Sequence, residues 1–460
     1  MTTLRRAVGL PTVIATSAGL ALATVSLTAN VQIGLALPGA SGWIAIVAAG
    51  LISVLAAWCF AELVGLFPTA AGIKLFIERA FGERAALVSA TLYVGITVLI
   101  VGSEAFILAS VLAYAFPGVP RALWVLLFLT AMALINVRGI SLSGRAQDLT
   151  TYAMVLVIGG LSLWALFRPG APAVPDPFTL GSGFSLTQAI ALGIFLYLGF
   201  EWVTPLAEEV TDIRLIPRGM LAGLAILAVV YGLLHLGMTT WVDKAALAGS
   251  PIPHVLFGEA AFGRVGLLLV ALISTLASIT SFNAGLMTAS RFLYSMARDA
   301  AAPRVLSRLH PDWATPWVAI LALYALSAAM AVYVLWSGSY KLFIFLGAAI
   351  ECMIFVLMAA SVIRLRKIMP EAVREFRVPG GHLVPWVVVV LYSLLFVLVF
   401  VPNPDHPADG PAQLGALAAL ALSALVIGAY VQWVVPKLRA RLAQAQGARR
   451  RRRPGASGQA

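Results

Sequence analysis

The chain has 460 residues, of which 61% are hydrophobic and 11% charged, with a mean hydropathy of +0.96 and a formal net charge of +12. A soluble domain carries about 25% charged residues, so the composition excludes a soluble globular protein. Apolar runs of about 20 residues, enough to cross a ~30 Å hydrocarbon core as helix, recur from end to end and predict an all-α polytopic membrane protein. Runs this long without alternation argue against a strand barrel.

In chain order, "MTTLRRAVGL" puts basic residues before an apolar run, with no small-residue cleavage site after a short core. It reads as a cytoplasmic N-terminus (1–9) leading into the first membrane helix, not as a removed signal peptide. Candidate spans follow at 10–36, 43–66, 86–115, 122–137, 149–167, 185–207, 217–241, 262–287, 316–336, 341–363, 383–401 and 412–435, about twelve helices of membrane-crossing length. They group as a first five-helix unit (10–167), a second (168–366), two further helices (367–435) and a basic tail (436–460). Arg121, Arg168, Lys244, Arg264 and Lys341 fall between spans or at their ends on one side, and every other Lys and Arg falls on the other. That bias predicts a multi-pass inner (plasma) membrane protein with both termini cytoplasmic. It also assigns the excess charge to topology, with the lipid bilayer as partner and no nucleic acid. The tail "RRRRRPGASGQA" is placed to meet solvent or anionic headgroups. Cys59 and Cys352 both lie in apolar spans and suggest neither a disulfide nor a metal site.

Two spans look interrupted. The first, "VIATSAGLALATVSLTANVQIG", is crowded with small and hydroxyl residues; the sixth, "FLYLGFEWVTPLAEEV", holds Gly199, Glu201 and Pro205 inside an apolar run. Interrupted helices at matching places in two halves mark the site of a transporter built from inverted repeats. An odd number of helices per unit inverts the second unit relative to the first. Small residues alone also suit close helix packing, but packing does not require a mid-helix acid, which costs on the order of 2.5–3.5 kcal/mol to insert.

Four stretches share a family pattern. "CFAELVGLFPTAAGIKLFIERAFG" (59–82) resembles the second-helix exit and first inner loop of amino acid–polyamine–organocation permeases, and "YLGFEWVTPLAEEVTDIRLIPRGM" (197–220) their sixth helix and following loop. "NAGLMTASRFLYSMARDAAAPRVLSRLHPDWATPWVA" (283–319) is similar to their eighth helix and inner loop, and "EFRVPGGHLVPWV" (375–387) to the entry of their eleventh helix. The resemblance spans nearly the whole chain in order. It implies a LeuT-like five-plus-five inverted repeat with discontinuous helices 1 and 6, two extra C-terminal helices, and alternating-access transport of amino acids or related amines. The sequence departs from the family twice. The Gly-(Ser/Thr)-Gly of the first break appears as Ala23-Thr24-Val25, which leaves the backbone less free to turn. The fifth span carries no lysine, so a lysine-based proton mechanism is not supported.

An amino acid zwitterion needs donors for its carboxylate and acceptors for its ammonium, and broken helix ends supply both. The break at Ala23, Thr24, Val25 and Ser26 is expected to hold the carboxylate. The break at Tyr197–Glu201, with Gly199 and Phe200, is expected to offer carbonyls to the ammonium, with Phe195 as an aromatic lid. Glu201 is a candidate for proton coupling or for a substrate amine, and so is Glu104 in the third span. Glu201 as a cap for freed N–H groups, and Glu104 in an ordinary interhelical bond, are the plainer alternatives. For Glu351 and His235 a structural partner is the better expectation. A candidate sodium site combines Gly19 and Leu22 with Ser278, Thr280 and Ser281, although such hydroxyls are also common packing residues. Glu62, Glu208 and Glu209 share the inner side with Arg291, as a candidate inner gate or as ordinary interfacial charge.

No nucleotide loop, metal-binding cluster or Ser-His-Asp pattern is present, so the reading is a non-enzymatic permease without cofactor. A proton or sodium ion, or exchange, would drive it, and it would act as monomer or homodimer. The competing reading is an amino acid sensor or regulatory protein of the same fold.

Overall fold

The computed structural model describes residues 8–69, 72–139 and 144–440. Arg5, Arg6 and the tail from residue 441 lie outside the described residues, so the expected cytoplasmic placement of the two ends falls there. The described residues are helical apart from connecting turns and one isolated bridge, Val8 to Val210.

The first span is a bent pair, α1 (Leu10–Ala21) and α2 (Thr24–Gly34), whose axes differ by 62°. Pro11 opens α1 in its first turn, where its missing N–H costs nothing. Next come α3 (Gly42–Leu66), a short α4 (Gly72–Phe81), α5 (Glu83–Ala115), α6 (Arg121–Val137) and α7 (Gly144–Phe167). The sixth span starts as α8 (Gly183–Gly193), tightens into 3-10 turns over Ile194–Tyr197, turns at Gly199, and continues as 3-10 helix over Phe200–Glu208. Ser182 caps α8 by accepting the Ser185 N–H. After it stand α9 (Leu215–Trp241), the short α10 (Lys244–Gly249) and α11 (Pro253–Arg298). The chain ends with α12 (Trp317–Ser337), α13 (Tyr340–Ile368), α14 (Leu383–Phe400) and α15 (Gly410–Ala429), the last continued by a wide π turn over Tyr430–Val434.

Eleven membrane-crossing helices result among the described residues if the bent pair is one span, and α6, at 17 residues, is a shorter apolar one. The eighth span, expected at 262–287, is preceded by a helix from Pro253 that breaks from it at Gly263, whose φ of 61° no other residue adopts easily. The loop after the second span contains a helix, α4.

Burial sorts the spans. In α5, the broken sixth span and α13, 72–78% of the most apolar window is inside the protein, against 28% for α7 and 17% for the last span. Apolar residues exposed on the outer set, such as Leu156, Trp164, Leu422 and Leu425, are what a lipid-facing surface requires. The buried set surrounds the two breaks.

Candidate functional site

At the first break Leu22 and Ala23 leave the helix with φ of −75° and −74°, values any residue adopts. No glycine is needed, and the expected loss of backbone freedom at Ala23-Thr24-Val25 has no consequence. What the break needs instead is a cap, because the first N–H groups of α2 have no carbonyl one turn back. The Thr24 N–H donates to Glu104 Oε1 at 2.9 Å, across 80 residues of sequence. The Ser278 hydroxyl donates to the same oxygen at 3.2 Å, and Thr24 Oγ1 lies 2.9 Å from Ser278 and donates to the Ser274 carbonyl at 2.7 Å. Glu104 is fully buried, and its other oxygen, Oε2, has no protein partner. Glu104 therefore sits in an interhelical network at the N-terminus of α2, where its charge meets the positive end of the helix dipole.

α9 holds the two halves of this span. The Tyr231 hydroxyl donates to the Ala21 carbonyl at 2.6 Å, below the bend, and the Asn30 side-chain amide donates to the Tyr231 carbonyl at 2.9 Å, above it. His235 lies 3.1 Å from Asn30 Oδ1, a structural partner as expected.

At the second break Gly199 has φ 112°, a conformation closed to residues with a Cβ. It also brings the turn within contact of Leu20 and Ala21 of α1. Glu201, 1% exposed, reaches back to accept the Gly199 N–H at 3.0 Å and accepts the Tyr93 hydroxyl with its other oxygen. Glu201 thus closes its own break. Glu351 of α13 lies within reach of the Glu201 charge, is fully buried, and has no hydrogen-bond partner on either oxygen, so the expected structural partner is not found.

A cavity with about 470 Å³ of empty space, counting its open mouth, separates the two breaks. Broken span one contributes Leu20, Ala23, Val25 and Ser26; broken span six contributes Phe195, Leu198, Gly199 and Trp202. α5 adds Thr97, Ile100 and Val101, and α11 adds Ser281 and Gly285. Among the described residues no charged side chain lines it. Of the residues expected at the site, Ala23, Val25, Ser26, Phe195 and Gly199 face the cavity. Glu201 and Glu104 stand behind the breaks as caps, and Thr24 is the residue that Glu104 caps.

Tyr197 and Phe200 point elsewhere. The Tyr197 hydroxyl donates to the Ile46 carbonyl at 2.8 Å, and Phe200 packs edge-on against Phe60, 5.9 Å away, in the core. Trp202 was missed, although Phe195, Leu198 and Trp202 recur at i, i+3 and i+7, the spacing of one helix face.

Of the residues named for sodium, Gly19 packs on Thr151 and the Thr280 hydroxyl donates to the Ala277 carbonyl at 2.8 Å. Ser278 belongs to the Glu104 network, while Ser281 lines the cavity with its hydroxyl unpaired.

Near the end of α3, Glu62 is 1% exposed and pairs with Arg366 (Nε at 2.7 Å) and with Arg374 at 3.4 Å, and accepts the Val378 N–H at 2.8 Å. These bonds join α3 to α13 and its following loop, while Arg291 is exposed on α11. The Glu209 carbonyl accepts the Val8 N–H at 3.0 Å.

This arrangement, two capped helix breaks flanking a mid-bundle cavity, is that of a membrane transporter, and the comparisons give its class. The amino acid permease family matches residues 8–424, and the chain belongs to that family. It is 26% identical to the branched-chain amino acid permease BcaP of Bacillus subtilis over 77% of this chain and 80% of that one. It is 27% identical to the γ-aminobutyric acid permease of Escherichia coli over 81% and 84%. A crystal structure of the Eremococcus coleocola manganese transporter covers 95% of this chain and 98% of its own, with a TM-score of 0.59 at 15% identity, a likeness of fold alone. The protein is thus a multi-pass membrane transporter of the amino acid permease family, not an enzyme.

Proposed function

We propose that the protein moves a small amino acid with an uncharged side chain across the plasma membrane by alternating access, driven by proton coupling or exchange. The carrying observation is the cavity between the breaks, lined by hydroxyls, backbone and apolar side chains, with both nearby acids already bonded to the helix ends. A cationic substrate would need a free acid in that wall. In this reading the carboxylate lies at the Val25 N–H and Ser26 in the first turn of α2. The ammonium meets carbonyls of the unwound Leu196–Leu198, and Phe195 and Trp202 cover the side chain. The distribution of basic residues supports cytoplasmic termini. The absence of the family's first-break glycines lends no support to the sensor reading, since the break forms with negative φ.

The test is a thermal-stability screen of purified protein against the common amino acids and putrescine, followed by labelled uptake into proteoliposomes. A ligand at 100-fold its Kd stabilises by about 2.7 kcal/mol. Neutral amino acids should stabilise the wild type, and Phe195→Ala should lose the shift. Stabilisation by arginine or putrescine alone would reject the neutral substrate, and no shift with any solute would reject transport of this class.

A further inference from the structure

A second cavity lies apart from the first and shares none of its lining residues. It forms where α2, α8 and α13 meet the connection between α14 and α15, with about 300 Å³ of empty space counting its mouth. Its enclosed end has room for about one water-sized group. Two turns of α2 separate the cavities, since Val25 and Ser26 line the first and Gln32 and Ile33 the second. The two differ in chemistry as well. Gln413, 1% exposed, donates its amide N–H groups to the Val399 and Val401 carbonyls at 3.3 and 3.1 Å. Those bonds fix which end of the amide is oxygen, and that oxygen, Oε1, has no partner among the described residues. Gln32, 6% exposed, has neither amide atom bonded. Asp409, 8% exposed, accepts the Lys341 ammonium on Oδ1 at 3.0 Å. Its Oδ2 faces His406 Nδ1 at 3.4 Å with no hydrogen bond between them. The Ser185 hydroxyl and the Gln188 amide N–H groups are already spent on neighbouring side chains and carbonyls. The lining therefore offers oxygens on Gln32, Gln413 and Asp409 with bonding capacity left, and it includes no lysine or arginine. Acceptors left over in a buried space call for a donor. A primary ammonium is water-sized, carries three donors and has no acceptor, which matches those three oxygens. Ile33, Leu192 and Phe345 give its carbon body an apolar wall toward the mouth.

We propose that this cavity is a regulatory site for a small primary amine, held by Gln32, Gln413 and Asp409 and separate from the path of the transported amino acid. An amine bonded to Gln32 and Gln413 joins the second half of broken span one to α15. That half lines the transport cavity through Val25 and Ser26. Fixing it slows transport without filling the transport cavity, so the amine lowers the maximal rate and leaves the affinity for the amino acid unchanged.

The test is calorimetric titration of the purified protein in detergent near pH 7 with n-butylamine, which is protonated there as a lysine side chain is. Choline, whose quaternary nitrogen donates no hydrogen bond, is titrated beside it. One n-butylamine should bind per chain, with no response to choline. Gln413→Met and Gln32→Met keep the side-chain length and remove an acceptor, and each should weaken binding about tenfold or more, since a hydrogen bond to a charged group is worth about 1.5–3 kcal/mol. Absence of n-butylamine binding overturns the proposal and leaves the cavity to water. Equal binding of choline, or binding kept in both variants, overturns it as well. Loss of binding in Phe195→Ala with retention in Gln413→Met would put the amine in the transport cavity and also overturn it. If neither glutamine variant folds, wild-type proteoliposomes decide. There n-butylamine should lower the maximal rate of labelled L-leucine uptake at unchanged KM, and a rise in KM alone overturns the regulatory site. If no amino acid is taken up, the transport reading fails by itself, and the titration still judges the amine site.

Discussion

The two breaks solve one problem in opposite ways. In span six the chain turns at a glycine with φ 112° and closes the end with an acid two residues on. In span one it turns at Leu22 and Ala23 with ordinary dihedrals, and the acid comes from α5. The first solution is local and the second is tertiary. A break can thus be kept by backbone permissiveness or by a distant cap, and the cap is the one whose charge can change without altering the chain's path.

That contrast can be broken by substitution, the largest effect coming where a cap serves two donors. Glu104→Ala strands the Thr24 N–H, costing about 1–3 kcal/mol when buried and unpaired, leaves the Ser278 hydroxyl only Thr24 Oγ1 as partner, and should lower the apparent Tm in detergent most. Gly199→Ala should follow at about 1–3 kcal/mol for a strained positive φ. Its Cβ would also press on the Ala21 N and Leu20 Cβ at 3.2 Å, so uptake should fall further than stability. Tyr93→Phe removes one of two donors to Glu201 and should cost about 1.5–3 kcal/mol, with the turn kept by the Gly199 N–H. Ala23→Gly, which restores the family's glycine, should bring no gain and a loss of roughly 0.4–1 kcal/mol through the unfolded chain. A stabilising effect there would show that the first break is strained after all.

The smallest effect lies at the outer entrance of span six. Hydrogen bonds from Ser185 and Ser182 hold the exposed Asp405 carboxyl below its ordinary range. A depressed carboxyl stabilises above its unfolded pKa and loses that contribution as pH falls through the folded one. Asp405→Asn should therefore differ from wild type at neutral pH and converge with it in acid, read by Tm against pH.

Much of this was legible in the sequence, because composition, apolar run length and Gly199-Phe200-Glu201 are local facts. The first break was placed at Ala23-Thr24-Val25 by the resemblance, and the helices part beside it, at Leu22 and Ala23. What sequence could not supply were pairings across the bundle. Glu104 meets Thr24 over 80 residues, and Glu62 meets Arg366 over 304, with nothing nearby to announce either. The inner partner was sought among basic residues on the right side of the membrane, but side alone does not choose between Arg291 and Arg366. Tyr197 and Phe200 were assigned to the cavity by proximity to the break, although helical spacing places them opposite the face of Phe195, Leu198 and Trp202.

Tyr231 bonds the first span on both sides of its bend, through its hydroxyl to Ala21 and through its carbonyl from Asn30. The bend is therefore bracketed and does not act as a free hinge. If the cycle keeps both bonds, α1, α2 and α9 must travel as one lever. The angle between the halves then stays constant while the lever's tilt decides which side of the membrane sees the cavity.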